Sequence, residues 1–413
     1  MKDNSIIASL DIGSSKIVCL IGYFNMYNKL CVKGIGHQES KGISDGNVED
    51  IQLLTKSIIK VISMAEKMAG INVEEITLSI SGSNLKSVFT NVEKDLKDKT
   101  INKIDIYDLA KKIEKEFKND KKEIIHLVPI GYYIDSIKVQ SPFGIIGNKI
   151  KIDFNAVYTD KLKINNIKSC LKKTPIRITK FVSSSYASAT ACLTQQEKSN
   201  GCLLIDIGAG LTSFAVIQKD LLIYNCSIPL AGNTITSDIS DILKTRFEVA
   251  EKLKIMNVDL LLDKNEENEI IKINIDNDED YRIAKNTKKI LNDIYKDRVK
   301  EIISIIFDIL DKKKIRSKVK NIVLTGGTSM VSGIDYYINK ITNLEARVGV
   351  AEFDFIKNNV EPRKFKNITY SCAVGLLIKT QEKISDRKVN DYNGINRSSI
   401  SKFFDYLVKL FIC

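Results

Sequence analysis

The residues best suited to chemistry are two aspartates, each of which ends an apolar run and precedes a turn of small residues. The later one, Asp206, follows the apolar residues 203–205 and is followed by Gly208-Ala209-Gly210. This pattern predicts a β-hairpin whose tip approaches a ligand, because glycines let backbone N–H groups converge on an anion without Cβ obstruction. A carboxylate at the end of the strand suits a hydrated Mg²⁺. The hairpin therefore predicts a metal-bound phosphate chain.

The same scheme occurs near the N-terminus, where residues 6–22 place Asp11 before Gly13 and return as a second apolar strand. One such turn is compatible with an ordinary β-turn, but a repeat nearly half a chain away indicates duplicated subdomains. Each subdomain would lend one hairpin to a shared cleft. Lys16, just past the first turn, adds a point charge for a phosphate.

A third glycine pattern lies at residues 321–330, where an apolar strand leads into Gly326-Gly327 and then into a helix start. A Gly-Gly pair by itself is typical of a tight turn. After two phosphate-type hairpins it favours a nucleotide, because a flat base can lie against exposed peptide planes.

Composition limits the class of protein. The 413 residues are 44% hydrophobic and 28% charged, which is enough for a large core and more than one domain. The net charge is +12, but the lysines are scattered and no basic stripe with interleaved aromatics occurs, so we expect no nucleic acid partner. The eight cysteines lack metal-binding spacing and predict reduced core thiols, and the two histidines predict structural roles. No apolar run reaches the roughly 20 residues that span a bilayer, and we expect a cytoplasmic body.

The elements between these motifs alternate between strands and helices. Residues 84–160 differ in texture and predict an inserted α+β unit, with a charged helix and several strands. A run of small residues at 183–191 predicts a closely packed helix, and residues 288–313 predict a long amphipathic one.

Four of these motifs resemble the phosphate-1, phosphate-2, adenosine and second connecting motifs of the actin, chaperone and sugar-kinase ATPase superfamily. They are residues 11–14, 206–210, 324–328 and 371–377, and residues 183–193 resemble the first connecting helix. More narrowly, the chain is similar to the FtsA family of bacterial cell-division proteins over essentially its whole length. Residues 229–239, 250–254 and 322–333 match that family closely.

The resemblance implies an actin-like two-lobed α/β fold with duplicated ribonuclease-H-like subdomains and an inserted small α+β subdomain. The implied parts are the first lobe (1–83 and 161–194), the SHS2-like insertion (84–160), the second lobe core (195–227 and 315–380), subdomain 2B (228–314), a flexible linker (381–397) and a C-terminal amphipathic helix (398–413).

The resemblance also implies ATP and Mg²⁺ as ligands. Asp11 and Asp206 would hold Mg²⁺ through water. The remaining ATP-binding residues would be Gly13, Ser14, Ser15, Lys16, Gly208, Gly210, Thr212, Gly232, Asn233, Glu251, Lys254, Gly326, Gly327, Thr328 and Met330. Of these, Glu251 and Lys254 would lie near the ribose.

The second hairpin departs from the family pattern. Ala209, Leu211 and Ser213 stand where relatives commonly have a glycine, a threonine and an aspartate. Binding should survive, because two glycines remain and Thr212 offers a hydroxyl. Hydrolysis needs a group that orients the attacking water, and this hairpin lacks the carboxylate that would do so, so we expect at most weak ATPase activity.

The C-terminal residues form a narrow apolar stripe at helical spacing beyond a polar segment. The stripe consists of Ile400, Phe403, Phe404, Leu407, Leu410 and Phe411. A helix docked on the body would explain such a stripe, but the polar segment separates it from the core, which favours an interfacial helix on an anionic membrane. One copy should bind marginally, and several copies on a polymer firmly.

The expected function is therefore an ATP-bound, self-associating adaptor on the cytoplasmic face of the inner membrane at the division site. The resemblance implies that it tethers the FtsZ ring and recruits later division proteins. The acidic C-terminal peptide of FtsZ would meet a basic helix face with Arg298, Lys289 and Lys296. The alternatives are a small-molecule kinase of the same superfamily, which would need a catalytic aspartate that residues 176–193 lack, and a pilus-assembly actin-like scaffold, which would not require the tail.

Overall fold

The computed structural model describes residues 5–262, 266–274, 281–284, 287–356 and 363–392. The chain begins with a strand-rich segment: β1 (Ile7–Ile12), β2 (Lys16–Phe24), β3 (Leu30–Glu39), β4 (Ile43–Ser44), β5 (Asn47–Val48), α1 (Ile51–Ala69) and β6 (Glu75–Ile80). Helix α1 begins at Ile51 because the Asp50 carboxylate caps its free N–H groups, and it ends at Gly70, which is left-handed. Its apolar face packs on β3 at Gly36, where a Cβ would overlap the carbonyl oxygen of Val61.

The predicted insertion forms a subdomain with its own core. Its elements are β7 (Lys86–Thr100), α2 (Lys103–Asn119), β8 (Lys122–Ile134), β9 (Ile137–Val139) and β10 (Ile146–Asp160). The strands make a four-stranded antiparallel sheet in the order β7-β10-β8-β9. Ile106, Leu109 and Ile113 of α2 pack on Phe154 and its neighbours in this sheet.

The chain then returns to the first lobe with α3 (Lys161–Leu171), β11 (Arg177–Ser183), α4 (Ser184–Cys192) and α5 (Gln195–Asn200). Strand β11 joins β6 in parallel, and β6 joins β1 in parallel. Helix α4, the first connecting helix, leads from this sheet toward the second lobe and is buried along most of its length.

The second lobe repeats the hairpin start of the first. Its elements are β12 (Cys202–Ile207), β13 (Thr212–Gln218), β14 (Leu221–Ile228), α6 (Gly232–Leu243), α7 (Phe247–Asn257), β15 (Ile271–Asn274), β16 (Tyr281–Ala284), α8 (Thr287–Lys312), β17 (Asn321–Thr325), α9 (Ile334–Thr342) and β18 (Glu345–Val348). Five strands form a sheet in the order β14-β13-β12-β17-β18. One core unites this sheet with α6, α7, α8 and α9.

The last described elements are β19 (Ala351–Phe355), β20 (Arg363–Asn367) and α10 (Ser371–Tyr392). Strand β19 pairs in parallel with β3, so the first lobe has the sheet β11-β6-β1-β2-β3-β19-β20. Helix α10 contributes Ala373, Val374 and Leu377 to a core with Val18 and Leu20 of β2. The prediction that residues 315–380 all belong to the second lobe is therefore wrong from Ala351 onward, because sequence does not show which sheet edge a strand joins.

The predicted flexible linker also begins too early. Helix α10 continues through Tyr392, and the part of it that lies in the predicted linker, residues 381–392, includes good helix formers and no glycine or proline. The rest of the linker and the predicted amphipathic helix (398–413) lie outside the described residues. None of the helices in the described residues is long and apolar enough to cross a bilayer.

Candidate functional site

The two hairpin tips have the same local geometry. The N–H of Gly13 donates to the carbonyl of Lys16, and the N–H of Gly208 donates to the carbonyl of Leu211, both at 3.0 Å. Asp11 and Asp206 take equivalent positions in the two ladders, opposite Val18 and Ser213. The repeated sequence pattern therefore folds as two equivalent hairpins, and each lobe contributes one carboxylate to the site.

The tips face each other across the cleft between the lobes. A Cβ placed on Gly210 would lie 3.1 Å from the Oγ of Ser14 and would overlap the carboxylate of Asp45. A side chain at position 210 would therefore hold the lobes apart. Asp45, in the loop before α1, was not singled out from the sequence, where it looks like an ordinary turn residue between two glycines.

Asp11, Lys16 and Asp206 form an electrostatic cluster between these tips. Burial, together with the negative charge of Asp11, raises the pKa of Asp206 to about 6. The hydroxyl of Ser188 and the positive charge of Lys16 oppose this rise. Burial lowers the pKa of Lys16, against the attraction of both aspartates. Two carboxylates that repel each other in a desolvated site gain from a cation between them.

The donor set fits a hydrated Mg²⁺. Mg²⁺ usually keeps several waters and takes one or two carboxylates together with phosphate oxygens. Within the described ranges, no group of three or more His, Cys, Asp or Glu side chains is arranged to hold a metal. Asp11 and Asp206 would therefore act through water.

The carbonyl of Gly208 is the point at which three motifs meet. It accepts the N–H of Gly232 at 3.0 Å and the hydroxyl of Thr328 at 2.9 Å. The neighbouring carbonyl of Ala209 accepts the N–H of Asn233 at 2.7 Å. Hydrogen bonds to these two carbonyls thus fix the second hairpin, the start of α6 and the Gly-Gly turn to one another.

The Gly-Gly turn follows β17, which runs parallel to β12 and places Thr325 opposite Asp206. Gly326 has a φ of 92°, and a Cβ there would lie 2.6 Å from a carboxylate oxygen of Asp206. Gly327 differs, because a Cβ there would have no atom within 4 Å. The buried hydroxyl of Tyr295 supports the turn by donating to the carbonyl of Thr328 at 2.5 Å. The turn therefore has open space over Gly327, and Met330 lies beside it with 65% of its surface exposed.

Glu251 and Lys254 form a network beneath the start of α6. The ammonium of Lys254 donates to the carbonyl of Gly232 at 3.0 Å, to the hydroxyl of Thr236 at 2.7 Å and to Oε2 of Glu251 at 2.7 Å. Burial lowers the pKa of Lys254, and Glu251 opposes that shift. With three donors engaged, Lys254 supports the Gly232 turn, and Glu251 is the more accessible of the two for a ligand.

Thr212 and Ser15, both predicted to lie at the phosphates, differ in exposure. Thr212 is fully buried and donates its hydroxyl to the carbonyl of Leu230 at 2.6 Å, so a contact of this hydroxyl with phosphate would have to replace that bond, and its role at the phosphates stays a prediction. Ser15 is exposed at the first tip, where its carbonyl accepts the N–H of Ser40 at 3.0 Å. The hydroxyl of Ser40 also donates to the carbonyl of Gly13 at 2.6 Å, a contact that no sequence signal indicated.

The predicted partner-binding residues lie on α8. Lys289 is exposed and Lys296 is partly buried. Arg298 binds the Asp238 carboxylate through two of its nitrogens and Glu301 at 2.6 Å, which raises the pKa of the guanidinium. The side chain of Arg298 is thus already bound to Asp238 of α6. The predicted membrane residues, from Ile400 to Phe411, lie outside the described residues.

Two family models match the chain. The model described as cell division protein FtsA covers residues 203–375, and the model of the SHS2 domain inserted in FtsA covers residues 82–158. A cell division protein FtsA from Neisseria meningitidis is 30% identical over 378 residues, which cover 90% of this chain and 89% of that protein. Those of Agrobacterium fabrum and Bacillus subtilis are each 28% identical, covering 95% and 91% of this chain and 90% and 84% of their own length.

Solved structures confirm the actin-like fold predicted from the sequence. A PilM–PilN type IV pilus biogenesis complex matches with a TM-score of 0.62 at 13% identity, covering 90% of this chain and 98% of that one. MreB5 of Spiroplasma citri bound to ADP matches with a TM-score of 0.57 at 14% identity, covering 93% and 98%. The MamK double helical filament matches with a TM-score of 0.53 at 12% identity, covering 91% and 98%.

Proposed function

This chain belongs to the FtsA family of cell division proteins, and from that premise we propose that it is an ATP-binding, self-associating adaptor. In this role it tethers the FtsZ ring to the cytoplasmic face of the inner membrane at the division site and recruits later division proteins. The observation that carries the proposal is the pair of equivalent hairpins, which bring Asp11 and Asp206 together beside the Gly-Gly turn. This arrangement supports a nucleotide whose phosphates lie between the lobes.

The proposed site divides into three contacts. The N–H groups of Gly13 and Gly208 close the two turns, so the backbone N–H groups that follow them, from Ser14 to Lys16 and at Ala209 and Gly210, would bind phosphate oxygens. Mg²⁺, when bound, neutralises phosphate charge, and Asp11 and Asp206 would hold it through water. Open backbone at Gly327 would border adenine, while Glu251 would approach the ribose.

Turnover should be weak. Ser213, which stands where relatives commonly have an aspartate, exchanges a 2.8 Å hydrogen bond with Ser227 and carries no charge. A hydroxyl held in this way is a poor group for orienting the attacking water. The proposed role therefore depends on bound ATP and on assembly rather than on rapid hydrolysis.

Gly327→Asp tests the nucleotide assignment. Because a Cβ at position 327 has open space, the variant should keep the melting temperature of the parent, while its carboxylate occupies the base position and repels phosphate. We expect ATP affinity, measured by titration calorimetry, to fall by at least about tenfold, equivalent to about 1.4 kcal/mol. Gly327→Ala is the matched control and should bind nearly as well. Unchanged affinity in Gly327→Asp would remove the adenine assignment.

Phe404→Glu tests the membrane anchor. The substitution removes an apolar contact worth about 1.5 to 3 kcal/mol when fully buried, less at a wet interface, and adds a charge to the inserted face. We expect loss of co-sedimentation with anionic liposomes and no change in ATP affinity or melting temperature. A lower melting temperature, with neither protein binding liposomes, would instead indicate a helix docked on the body.

Lys289→Glu tests the surface proposed for the acidic FtsZ peptide. Lys289 is exposed on α8, so its reversal should weaken peptide binding at low salt and leave the fold intact. Arg298→Glu should also weaken binding, but it breaks the pair with Asp238 and should lower stability as well. Peptide affinity equal to that of the parent in both variants would exclude this surface.

A further inference from the structure

The two connecting helices, α4 and α10, cross in backbone contact. A Cβ placed on Gly375 of α10 would overlap the carbonyl oxygen of Ala187 in α4. Only glycine allows the axes to approach this closely. The crossing lies directly beneath the cleft, because α10 also packs on β1, and α4 packs on β12 and β13.

Each helix carries one small hydrogen-bond donor beside this crossing, and each donor contacts a different aspartate. Ser188, the residue after Ala187, is fully buried and donates its hydroxyl to Oδ2 of Asp206 at 2.9 Å. Cys372, about one turn before Gly375, is buried, and its side chain lies beside the carboxylate of Asp11. A thiol is a weak hydrogen-bond donor, so the Cys372 side chain can donate to that carboxylate.

We propose that Ser188 and Cys372 are positioning residues that hold Asp206 and Asp11 in the orientation that receives hydrated Mg²⁺. The inference rests on the proposed Mg²⁺-nucleotide site. Since both donors are neutral, they restrain the carboxylates without competing with the metal for negative charge. Their position at one crossing also couples the packing of α4 on α10 to the affinity for Mg²⁺-nucleotide.

A purely structural role for these side chains makes a different prediction. Small residues at a helix crossing contribute packing, and their loss would lower stability without changing the dependence of nucleotide binding on Mg²⁺. A hydrogen bond to a charged group restrains the carboxylate itself, so its loss should act on the Mg²⁺-dependent part of the affinity. The two roles are therefore separated by measuring ATP affinity in Mg²⁺ and in EDTA.

The experiment uses the full chain and four substitutions. Ser188→Ala and Cys372→Ala remove the donors, Cys372→Ser keeps one, and Thr190→Ala removes a hydroxyl of the same helix that bonds only within it, to the carbonyl of Tyr186. We expect Mg²⁺ to raise the ATP affinity of the parent, and each donor deletion to reduce that rise by about tenfold. Affinity in EDTA should stay near that of the parent, and Cys372→Ser and Thr190→Ala should retain the full rise.

Three results would overturn the proposal in distinguishable ways. If Ser188→Ala and Cys372→Ala keep the full Mg²⁺ effect, the two residues are structural and the nucleotide site stands. If Cys372→Ser behaves like Cys372→Ala, the thiol acts through packing rather than donation. If the parent binds no ATP, or binds it equally with and without Mg²⁺, the proposed function fails at its ligand or its metal, and this inference fails with it.

Discussion

At the scale of the residue, the interior contains ionisable side chains that are fixed by particular partners. His126 is one of them, with 8% exposure. Its Nε2 accepts the backbone N–H of Ser183 at 3.0 Å, and its ring meets the edge of Tyr186. Burial lowers the pKa of His126 well below its ordinary value, and the charges of Lys180 and Lys379 add to that effect. His126 is therefore neutral in the folded protein.

This neutrality predicts a stability loss in mild acid. The unfolded chain gains a proton on His126 near pH 6.5 and the folded chain does not, so stability is full above that pH and falls below it. We expect the parent to lose about 1.4 kcal/mol per pH unit below pH 6 from this group. His126→Gln should flatten that slope in urea unfolding series, whereas His37→Gln, at an exposed position, should change it much less. Equal slopes in all three proteins would contradict the assignment.

At the scale of the element, glycines decide how closely helices and strands approach. Helix α1 lies on β3 through Gly34 and Gly36, where added Cβ atoms would overlap the carbonyl oxygens of Ala65 and Val61. The apolar spacing of residues 51–69 is typical of an amphipathic helix but gives no sign of this close approach. Strand β8 shows the same dependence on tertiary pairing, because it continues through Pro129 as one strand, with a register shift near that proline.

Gly36→Ala should therefore destabilise the first lobe. The added methyl group meets backbone rather than a movable side chain, and such overpacking typically costs about 1 to 3 kcal/mol. Gly327→Ala is a suitable control, because its Cβ enters open space and should leave the melting temperature unchanged. Equal melting temperatures of the two variants would show that α1 and β3 have room for a methyl group at position 36.

At the scale of the whole molecule, the insertion is bound to both lobes. The N–H of Asn225, in β14 of the second lobe, donates to the hydroxyl of Ser87 in β7 at 2.8 Å. Its side-chain oxygen accepts the hydroxyl of Ser183, in β11 of the first lobe, at 3.0 Å. A further bond, from the amide of Asn155 to the carbonyl of Leu222 at 3.0 Å, joins β10 to β14. The insertion is therefore part of the contact between the lobes.

Asn225→Ala should lower the stability of the whole chain. The substitution removes the side-chain bonds of Asn225 to the buried hydroxyls of Ser183 and Ser185, and the loss of buried hydrogen bonds costs about 1 to 3 kcal/mol. We expect a clear drop in the melting temperature, while Asn165→Ala, at an exposed position on α3, should have little effect. A melting temperature near that of the parent would show that these bonds are replaced by water.

The sequence by itself determined the features that depend on local spacing. Both Asp-Gly hairpins, the insertion and the Gly-Gly turn follow from apolar periodicity and from glycines at fixed offsets, and their duplication indicates the two lobes. These signals are local because a strand, a turn and a helix face each depend on residues within a few positions of one another.

Only the tertiary structure decided which of these residues share a partner. Strand β19 pairs with the first sheet, and the hydroxyl of Thr212 donates to Leu230. Arg298 forms an ion pair with Asp238. Ser188 and Cys372 lie beneath the two aspartates. Each fact joins residues that are far apart in the chain or on different elements. Sheet edges and small buried donors have no periodic signature, because the partner that satisfies them is set by how the elements pack and not by their own neighbours in sequence.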